Sequence, residues 1–219
     1  MVTVVPEETP LPSVDGIVRL GILGGTFDPI HNGHLALADY AATELALDQV
    51  WFIPAADPPH KQGRLLADAH IRWDMVRASM SSHAPRFVPV DLELRRAGFS
   101  YTVDTLAGIA QHVGTGVSLH WIIGRDNVAL LPTWHRAEDI CSLATIVAGG
   151  RPGKTIPPDL PDWFLNRLVI LDGPDIAVSS TDIRDCAARG LIREDLIPRS
   201  VAKSILEHQL YGYSDPSTE

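Results

Sequence analysis

The sequence contains few cysteines and no long apolar run, and both absences exclude classes of protein. Cys141 and Cys186 are its only cysteines, which is too few for a disulfide-stabilised scaffold or a cysteine-rich zinc site. No apolar run approaches the ~20 residues of a membrane-spanning helix. The first basic residue is Arg19, so the charged start of a signal peptide is missing. Together these absences predict a cytoplasmic protein.

Positive charge is also scarce. The 219 residues include 18 Lys and Arg against 27 Asp and Glu, which gives a formal net charge of −9. Because Lys and Arg hold the phosphate backbone, so acidic a chain is not expected to bind nucleic acid or an anionic membrane nonspecifically. A small polyanion such as a nucleotide can still bind at a local site. With 45% hydrophobic and 21% charged residues, the composition is that of a folded globular protein.

One folded domain is predicted between two terminal segments. Residues 1–16 carry three prolines and three acidic residues and are expected to form a poorly ordered, effectively disordered leader. Residues 213–219 are expected to be a short tail. Residues 17–212 contain no linker-like stretch and no internal repeat, so they are expected to form a single domain.

Strand and helix patterns alternate along that domain. The predicted strands are 18–23, 50–54, 87–92, 119–123, 144–148 and 168–171. The predicted helices are 33–46, 67–81, 103–113, 181–189 and 199–210. This alternation implies βαβ crossovers and therefore an α/β fold with a doubly wound, mostly parallel sheet. In such folds ligands bind beyond the carboxyl ends of the strands, so the loops after strands are the places to look for chemistry.

The loop after the first predicted strand carries the most informative motif, GGTFDPIHNGH at Gly24–His34. Its two leading glycines allow the backbone to approach a bulky ligand. His31 and His34 lie three residues apart across a helix start, so both rings can point at one spot. That spot also receives unpaired backbone N–H groups and the positive end of the helix dipole. The combination suits a phosphoryl group in transfer, whereas the G-x-G-x-x-G spacing of a dinucleotide fingerprint is absent.

A second candidate phosphate site is VSSTDIR at Val178–Arg184. Ser179, Ser180 and Thr181 precede a predicted helix, and Arg184 lies one turn inside it. Hydroxyls, backbone N–H groups and a guanidinium could together hold a triphosphate. Simple N-capping by Ser or Thr is the alternative interpretation.

A rival phosphate loop, AGGRPGKT at Ala148–Thr155, approximates a Walker A motif with Ala in place of the first Gly. A true phosphate loop opens a helix. Here Lys154 and Thr155 run into Ile156-Pro157-Pro158, which cannot continue as a helix. A P-loop NTPase is therefore disfavoured, and a non-catalytic nucleotide sensor is kept as a further alternative.

The Gly24–His34 motif resembles the H-x-G-H phosphate-binding motif of the nucleotidylyltransferase superfamily. Further segments resemble one of its families, the nicotinate-nucleotide adenylyltransferases, and the likeness covers residues 18–212. These segments are Pro58–Lys61 (PPHK), Ser100–Leu106 (SYTVDTL), Ile123–Asn127 (IGRDN), Leu131–Ile140 (LPTWHRAEDI), Val178–Arg184 and Ile197–Tyr211. The resemblance implies a Rossmann-like nucleotidylyltransferase fold.

The resemblance also implies roles for individual residues. The catalytic residues would be His31, His34 and Arg184. The ATP-binding residues would be Gly24, Gly25, Thr26, Phe27, His34, Gly124, Asp126, Val178, Ser179, Ser180, Thr181 and Arg184. Of these, Gly124 and Asp126 would hold the ribose, and the backbone of Val178 would lie near adenine. The substrate-binding residues would be Lys61, Thr102, Trp134 and His135, with Lys61 near the phosphates and Trp134 stacking on the pyridine ring.

The implied reaction transfers AMP from ATP to nicotinate mononucleotide and yields deamido-NAD and pyrophosphate. The acceptor's ionised phosphate would attack in line, without a covalent intermediate. Mg²⁺ would be carried with ATP rather than in a protein cage, so no metal-ligating residues are assigned. Nicotinamide mononucleotide and phosphopantetheine are the alternative acceptors within the superfamily.

Three features depart from the family pattern. Arg125 stands before Asp126 where the family usually has a small residue, and this change concerns the entrance to the ribose site. Ser204 stands where the terminal motif usually has Tyr, which concerns packing. The leader, residues 1–16, is an extension to which the resemblance assigns no role.

Overall fold

The computed structural model describes residues 10–58, 66–150, 156–174 and 177–214. These residues contain six strands: β1 (Arg19–Gly25), β2 (Gln49–Pro54), β3 (Phe87–Pro89), β4 (Ser118–Gly124), β5 (Thr145–Gly149) and β6 (Leu168–Ile170). All neighbouring pairs are parallel, and the strand order is β3-β2-β1-β4-β5-β6. The predicted doubly wound parallel sheet is confirmed. The order reverses between β1 and β4, so the switch point lies where these strands end.

Seven α-helices cross between or follow the strands within the described residues. They are α1 (Asn32–Glu44), α2 (Ala69–Met80), α3 (Thr102–Val113), α4 (Ala137–Leu143), α5 (Asp162–Leu165), α6 (Ser180–Ala187) and α7 (Arg199–Glu207). The five predicted helices are present, and α4 and α5 were missed. With seven and four residues, these two helices are too short to show a helical period. None of the described helices is long and apolar enough to cross a membrane.

Alternate strand residues face two hydrophobic cores, one on each side of the sheet. Val50, Phe52 and Ile122 face the core formed with α1, α2, α6 and α7. Trp51 and Ile123 face the core formed with α3, α4 and α5. Because helices cover both faces, the strand centres read as continuous apolar runs, as expected for a parallel sheet.

Short segments on either side of the predicted domain, residues 17–212, pack against the two cores. Leu11 and Val14 pack against the core on the α3 side, and His112 Nε2 of α3 lies 3.0 Å from the Pro12 carbonyl oxygen. At the other end, Tyr213 packs against the opposite core. Apolar side chains in both segments account for this attachment, because they remove apolar surface from water. Residues 1–9 of the predicted leader and 215–219 of the predicted tail lie outside the described residues.

Candidate active site

A cavity of about 610 Å³ opens at the carboxyl ends of β1 and β4, where the strand order reverses. The predicted residues that line it are Gly24, Gly25, Thr26, Phe27, His31, His34, Thr102, Gly124, Asp126, Trp134, His135, Val178, Ser179 and Ser180. Segments far apart in sequence therefore meet in one cavity. Lys61 lies outside the described residues, as do residues 151–155 of the Walker-like segment.

Two glycines, one near the end of β1 and one in the first turn of α1, let the elements that flank the β1–α1 loop pack closely on their neighbours. A Cβ atom at Gly24 would overlap the Trp121 ring of β4. A Cβ at Gly33 would lie 2.7 Å from Cγ1 of Val178, closer than real Cβ atoms approach. Side chains at these positions would push the loop away from β4 and from the segment before α6. The glycines therefore bring the two candidate phosphate-binding segments together.

The two histidines of the loop lie against each other at the start of α1. Their rings stack with centroids 3.7 Å apart and an interplanar angle of 20°. The His31 backbone N–H donates to Nδ1 of His34 over 3.2 Å. A neutral His34 therefore carries its proton on Nε2, which makes Nε2 a donor. Both rings line the cavity at a helix N-terminus, where negative charge is stabilised.

The Phe27 side chain fixes one side of this pair. Phe27 adopts φ = 48°, a left-handed conformation that is uncommon for a residue with a large side chain. The residue is 2% exposed, and its ring lies nearly perpendicular to the His34 ring, with an interplanar angle of 82° and centroids 5.1 Å apart. The unusual backbone thus places an aromatic edge against the His34 ring.

The segment before α6 is tied to the β1–α1 loop. Ser179 caps α6, since its Oγ accepts from the Asp182 backbone N–H over 3.1 Å. The Ser180 hydroxyl donates to the Pro29 carbonyl over 3.0 Å. Both serines line the cavity. Ser179 therefore caps α6 and also forms part of the cavity wall.

Arg184 and Thr181 lie beside the cavity and are not among the residues that line it. The Arg184 guanidinium donates through Nη1 to the Asp28 carbonyl over 2.7 Å. Its Nη2 donates to the Thr181 hydroxyl over 3.1 Å. In this structure Arg184 therefore holds the β1–α1 loop, and Thr181 accepts a hydrogen bond from Arg184.

At the opposite end, the start of α3 and the turn before α4 form the wall that the resemblance assigns to the pyridine ring. Thr102 is the first residue of α3. Trp134 ends a short 3₁₀ turn, Leu131–Thr133, and is followed by His135, whose ring lies 4.4 Å from the Tyr101 ring. The three predicted residues at this end all line the cavity.

Glu93 also lines this cavity and was missed by the sequence analysis. It is 5% exposed, and its Oε1 accepts from the Thr105 hydroxyl over 2.6 Å. Burial raises the pKa of the Glu93 carboxyl, while hydrogen bonds from Thr105 and Ser100 oppose the rise. No motif marked Glu93, although its partners belong to the SYTVDTL segment.

Arg72 of α2 is a second missed residue, and it supports the β1–α1 loop from below. It is 1% exposed. Its Nη1 donates to the carbonyl oxygens of Thr26 and Ala55, each over 2.7 Å. Burial lowers its pKa, while the nearby Asp28 carboxylate opposes the fall. Arg72 therefore joins the ends of β1 and β2 beneath the cavity.

Asp28 links this support to the end of the chain. It is 1% exposed, and its Oδ1 accepts from the Tyr211 hydroxyl over 2.9 Å and from the Ala67 backbone N–H over 3.2 Å. Burial and the Asp28 carboxylate raise the pKa of Tyr211, so its hydroxyl stays protonated and donates. Asp28 lies within the Gly24–His34 motif, but only the fold reveals these partners.

Comparison with known proteins identifies relatives of the chain. A model of the cytidylyltransferase-like family matches residues 22–186. A protein of Dehalococcoides mccartyi strain CBDB1 named as a probable nicotinate-nucleotide adenylyltransferase is 38% identical over 200 residues, covering 89% of this chain and 97% of the relative. A protein of Oceanobacillus iheyensis with the same name is 38% identical over 195 residues, with the same coverage.

Solved structures support the fold. The nicotinic acid mononucleotide adenylyltransferase of Plasmodium falciparum, complexed with NaAD, superposes with a TM-score of 0.73. The match covers 90% of this chain and 98% of that chain at 16% identity. At that level of identity the likeness concerns the architecture alone.

Proposed function

The chain belongs to the cytidylyltransferase-like family and, within it, to the nicotinate-nucleotide adenylyltransferases, and we propose that it transfers AMP from ATP to nicotinate mononucleotide. The products are deamido-NAD and pyrophosphate, so the reaction belongs to NAD biosynthesis. One observation carries the proposal beyond family membership. A single cavity joins the His31–His34 pair and the Ser179–Ser180 segment at one end to Thr102, Trp134 and His135 at the other.

The chemistry requires no protein nucleophile. The phosphate of nicotinate mononucleotide is ionised at neutral pH, and one of its oxygens attacks the α-phosphorus of ATP. A new P–O bond forms as the bond to the β-phosphate oxygen breaks, and pyrophosphate leaves with the electron pair. Catalysis then consists of positioning the two phosphates and stabilising charge on the oxygens of the α-phosphorus. His34 Nε2 and the His31 ring are suited to donate to these oxygens.

Arg184 is proposed to steady the leaving pyrophosphate. Its guanidinium is held by the Asp28 carbonyl and the Thr181 hydroxyl. To reach a phosphate, it would exchange the carbonyl for a phosphate oxygen. Such an exchange is favourable, because a hydrogen bond between two charged groups is stronger than one to a neutral carbonyl.

The proposal also covers Mg²⁺ and Lys61, both of which concern the phosphates of ATP. We propose that Mg²⁺ arrives with the phosphates of ATP. Among the described residues, no group of three or more His, Cys, Asp or Glu side chains could hold a metal ion. Lys61 is proposed to lie near those phosphates.

The free Cys141 and Cys186 support a cytoplasmic location.

A substrate panel tests the proposal. Pyrophosphate release is measured with ATP, CTP or GTP against nicotinate mononucleotide, nicotinamide mononucleotide or phosphopantetheine. We expect ATP with nicotinate mononucleotide to give the highest kcat/KM. A preference for CTP or for phosphopantetheine would assign the chain to another superfamily reaction. Loss of ATP binding in Lys154→Ala would instead favour the P-loop alternative.

A further inference from the structure

Arg125 lines the part of the cavity where the family resemblance places the ribose of ATP. It follows β4 directly and lies between Gly124 and Asp126 in the cavity wall. Its side chain is only 12% exposed. A buried guanidinium must find acceptors, because an unpaired buried charge is costly.

Those acceptors lie two strands away. Arg125 Nη2 donates to the Leu171 carbonyl over 2.7 Å, and Leu171 follows β6 directly. The second partner, the Asp172 carboxylate, is 3.3 Å away and its side chain is 95% exposed, so water screens that ion pair. The bond to the Leu171 carbonyl is therefore the structurally important contact. It spans from the end of β4 across β5 to the loop after β6.

The loop after β6 forms part of the cavity wall. The Gly150 N–H donates to the Gly173 carbonyl over 3.2 Å, which holds the loop over the end of β5. Pro174, Gly149 and Gly150 then line the cavity beside Arg125. The Arg125 side chain thus anchors the loop at Leu171, while the backbone bond from Gly150 anchors it at Gly173.

The Arg125 guanidinium also keeps a free donor. Its Nε is buried, and among the described residues it has no hydrogen-bond partner. An unsatisfied buried donor is unfavourable, so a small shift that gives it an acceptor would be favoured. The purine nitrogens and ribose oxygens of adenosine are acceptors of that kind.

We propose that Arg125 is a positioning residue for ATP, which holds the 171–174 loop as a wall of the adenosine end and so sets ATP affinity without contributing to acceptor binding. This inference rests on the proposed function for the identity of the nucleotide. It concerns the contact of Arg125 with the loop after β6, whereas Thr102 opens α3 and Trp134 and His135 precede α4.

Equilibrium binding to the purified full chain tests it. Arg125→Ala should raise the Kd for ATP, measured by calorimetry without acceptor, by about tenfold, the order expected when the charge-assisted hydrogen bond that holds the 171–174 loop is lost. The Kd for nicotinate mononucleotide should change by less than twofold. Arg125→Lys keeps a charged donor and should recover part of the ATP affinity. Asp172→Ala is the matched control and should bind ATP as the unsubstituted chain does.

The outcomes separate the inference from the proposed function. ATP affinity within twofold of the unsubstituted value in Arg125→Ala, or an equal loss for both ligands, would overturn it. If Arg125→Ala fails to fold, Arg125→Gln and Arg125→Lys are measured, and unchanged ATP affinity in both would overturn it equally. Arg125→Ala could lose ATP affinity selectively while the unsubstituted chain proves unable to transfer AMP. That result would refute the proposed function and leave the inference standing.

Discussion

His34 combines a structural contact with a proposed chemical role in one ring. Its Nδ1 accepts the His31 backbone N–H, and its Nε2 is the donor proposed to act on the α-phosphate. His34→Ala should lower kcat by about 10²-fold or more, the usual cost of removing one transition-state donor. ATP affinity should fall much less. Steady-state kinetics and calorimetry measure the two effects.

His34→Asn separates the two tasks. The Asn side-chain oxygen can accept the same backbone N–H, but the variant has no donor in the place of Nε2. We expect its melting temperature to recover relative to His34→Ala while kcat stays low. Recovery of kcat together with the melting temperature would remove Nε2 from the chemistry.

Arg72 is expected to matter for stability because its removal leaves buried partners unsatisfied. Arg72→Met keeps much of the side-chain volume but leaves the carbonyls of Thr26 and Ala55 unpaired and Asp28 without its nearby cation. The free energy of unfolding in urea should fall by about 3 kcal/mol or more. Arg77→Met on the same helix is the matched control. The ion pair of Arg77 with Asp74 is exposed, so a loss of about 1 kcal/mol or less is expected, and equal losses would contradict this role for Arg72.

Glu93 should make stability depend on pH. Since burial raises its pKa above the ordinary value of 4.5, the native state binds this proton more tightly than the unfolded chain does. The resulting stabilisation is fully present below pH 4.5 and is lost as the pH rises through the native pKa. Glu93→Gln does not titrate. The melting temperature of Glu93→Gln minus that of the unsubstituted chain should therefore increase from pH 4 to pH 8, and a constant difference would refute the raised pKa.

At the scale of elements, the start of α3 and the turn before α4 are expected to select acid over amide. A carboxylate accepts hydrogen bonds and cannot donate, whereas an amide must also place two N–H groups. Thr102 opens α3, where the helix dipole favours negative charge. The Thr102 hydroxyl and the His135 backbone N–H are the proposed donors. We expect kcat/KM to favour nicotinate over nicotinamide mononucleotide by at least about tenfold, equivalent to roughly 1.4 kcal/mol.

Two variants locate that preference. Thr102→Val should reduce the ratio of the two kcat/KM values, because it removes a donor at similar volume. Trp134→Ala should weaken both acceptors equally, since stacking on the ring does not distinguish acid from amide. Equal efficiency of the unsubstituted chain on both acceptors would refute the acid preference and leave AMP transfer intact.

The elements also show what the sequence could and could not predict. The long amphipathic helices and apolar strands carry their own periodicity, so the α/β fold and most boundaries followed from it. β3 ends at Pro89, before the predicted residue 92. The Val90 N–H still donates to the Phe52 carbonyl over 2.9 Å, but the next donor on β2 would be residue 54, which is proline and has no N–H. Helix α4 follows Arg136 in a left-handed conformation, φ = 52°, and Arg gives no sequence signal for such a turn.

Buried polar residues were beyond the reach of sequence patterns for a different reason. Arginine and glutamate are usually exposed, and nothing local marks Arg72 or Glu93 as buried. Their partners are distant residues such as Thr26 for Arg72 and Thr105 for Glu93. The residues of the motif loops, in contrast, could be predicted to meet at one cavity, because parallel strands end at the same edge of the sheet.

At the scale of the whole molecule, the candidate site is assembled from both ends of the chain. Ser180 bonds to Pro29 across 151 residues, and Tyr211 bonds to Asp28 across 183 residues. The β1–α1 loop is thus held by α2, α6 and the segment after α7. Such a cavity exists only in the complete fold, so destabilising the C-terminal segment should also disturb phosphate binding.

The most direct test of the central claim is the stoichiometry of the complete reaction. The purified chain is mixed with ATP, Mg²⁺ and nicotinate mononucleotide, and the products are separated and identified by mass. We expect one deamido-NAD for each pyrophosphate released, and neither product when the acceptor is omitted. Pyrophosphate release from ATP alone, or a protein that carries covalently bound AMP, would contradict direct transfer between the two substrates.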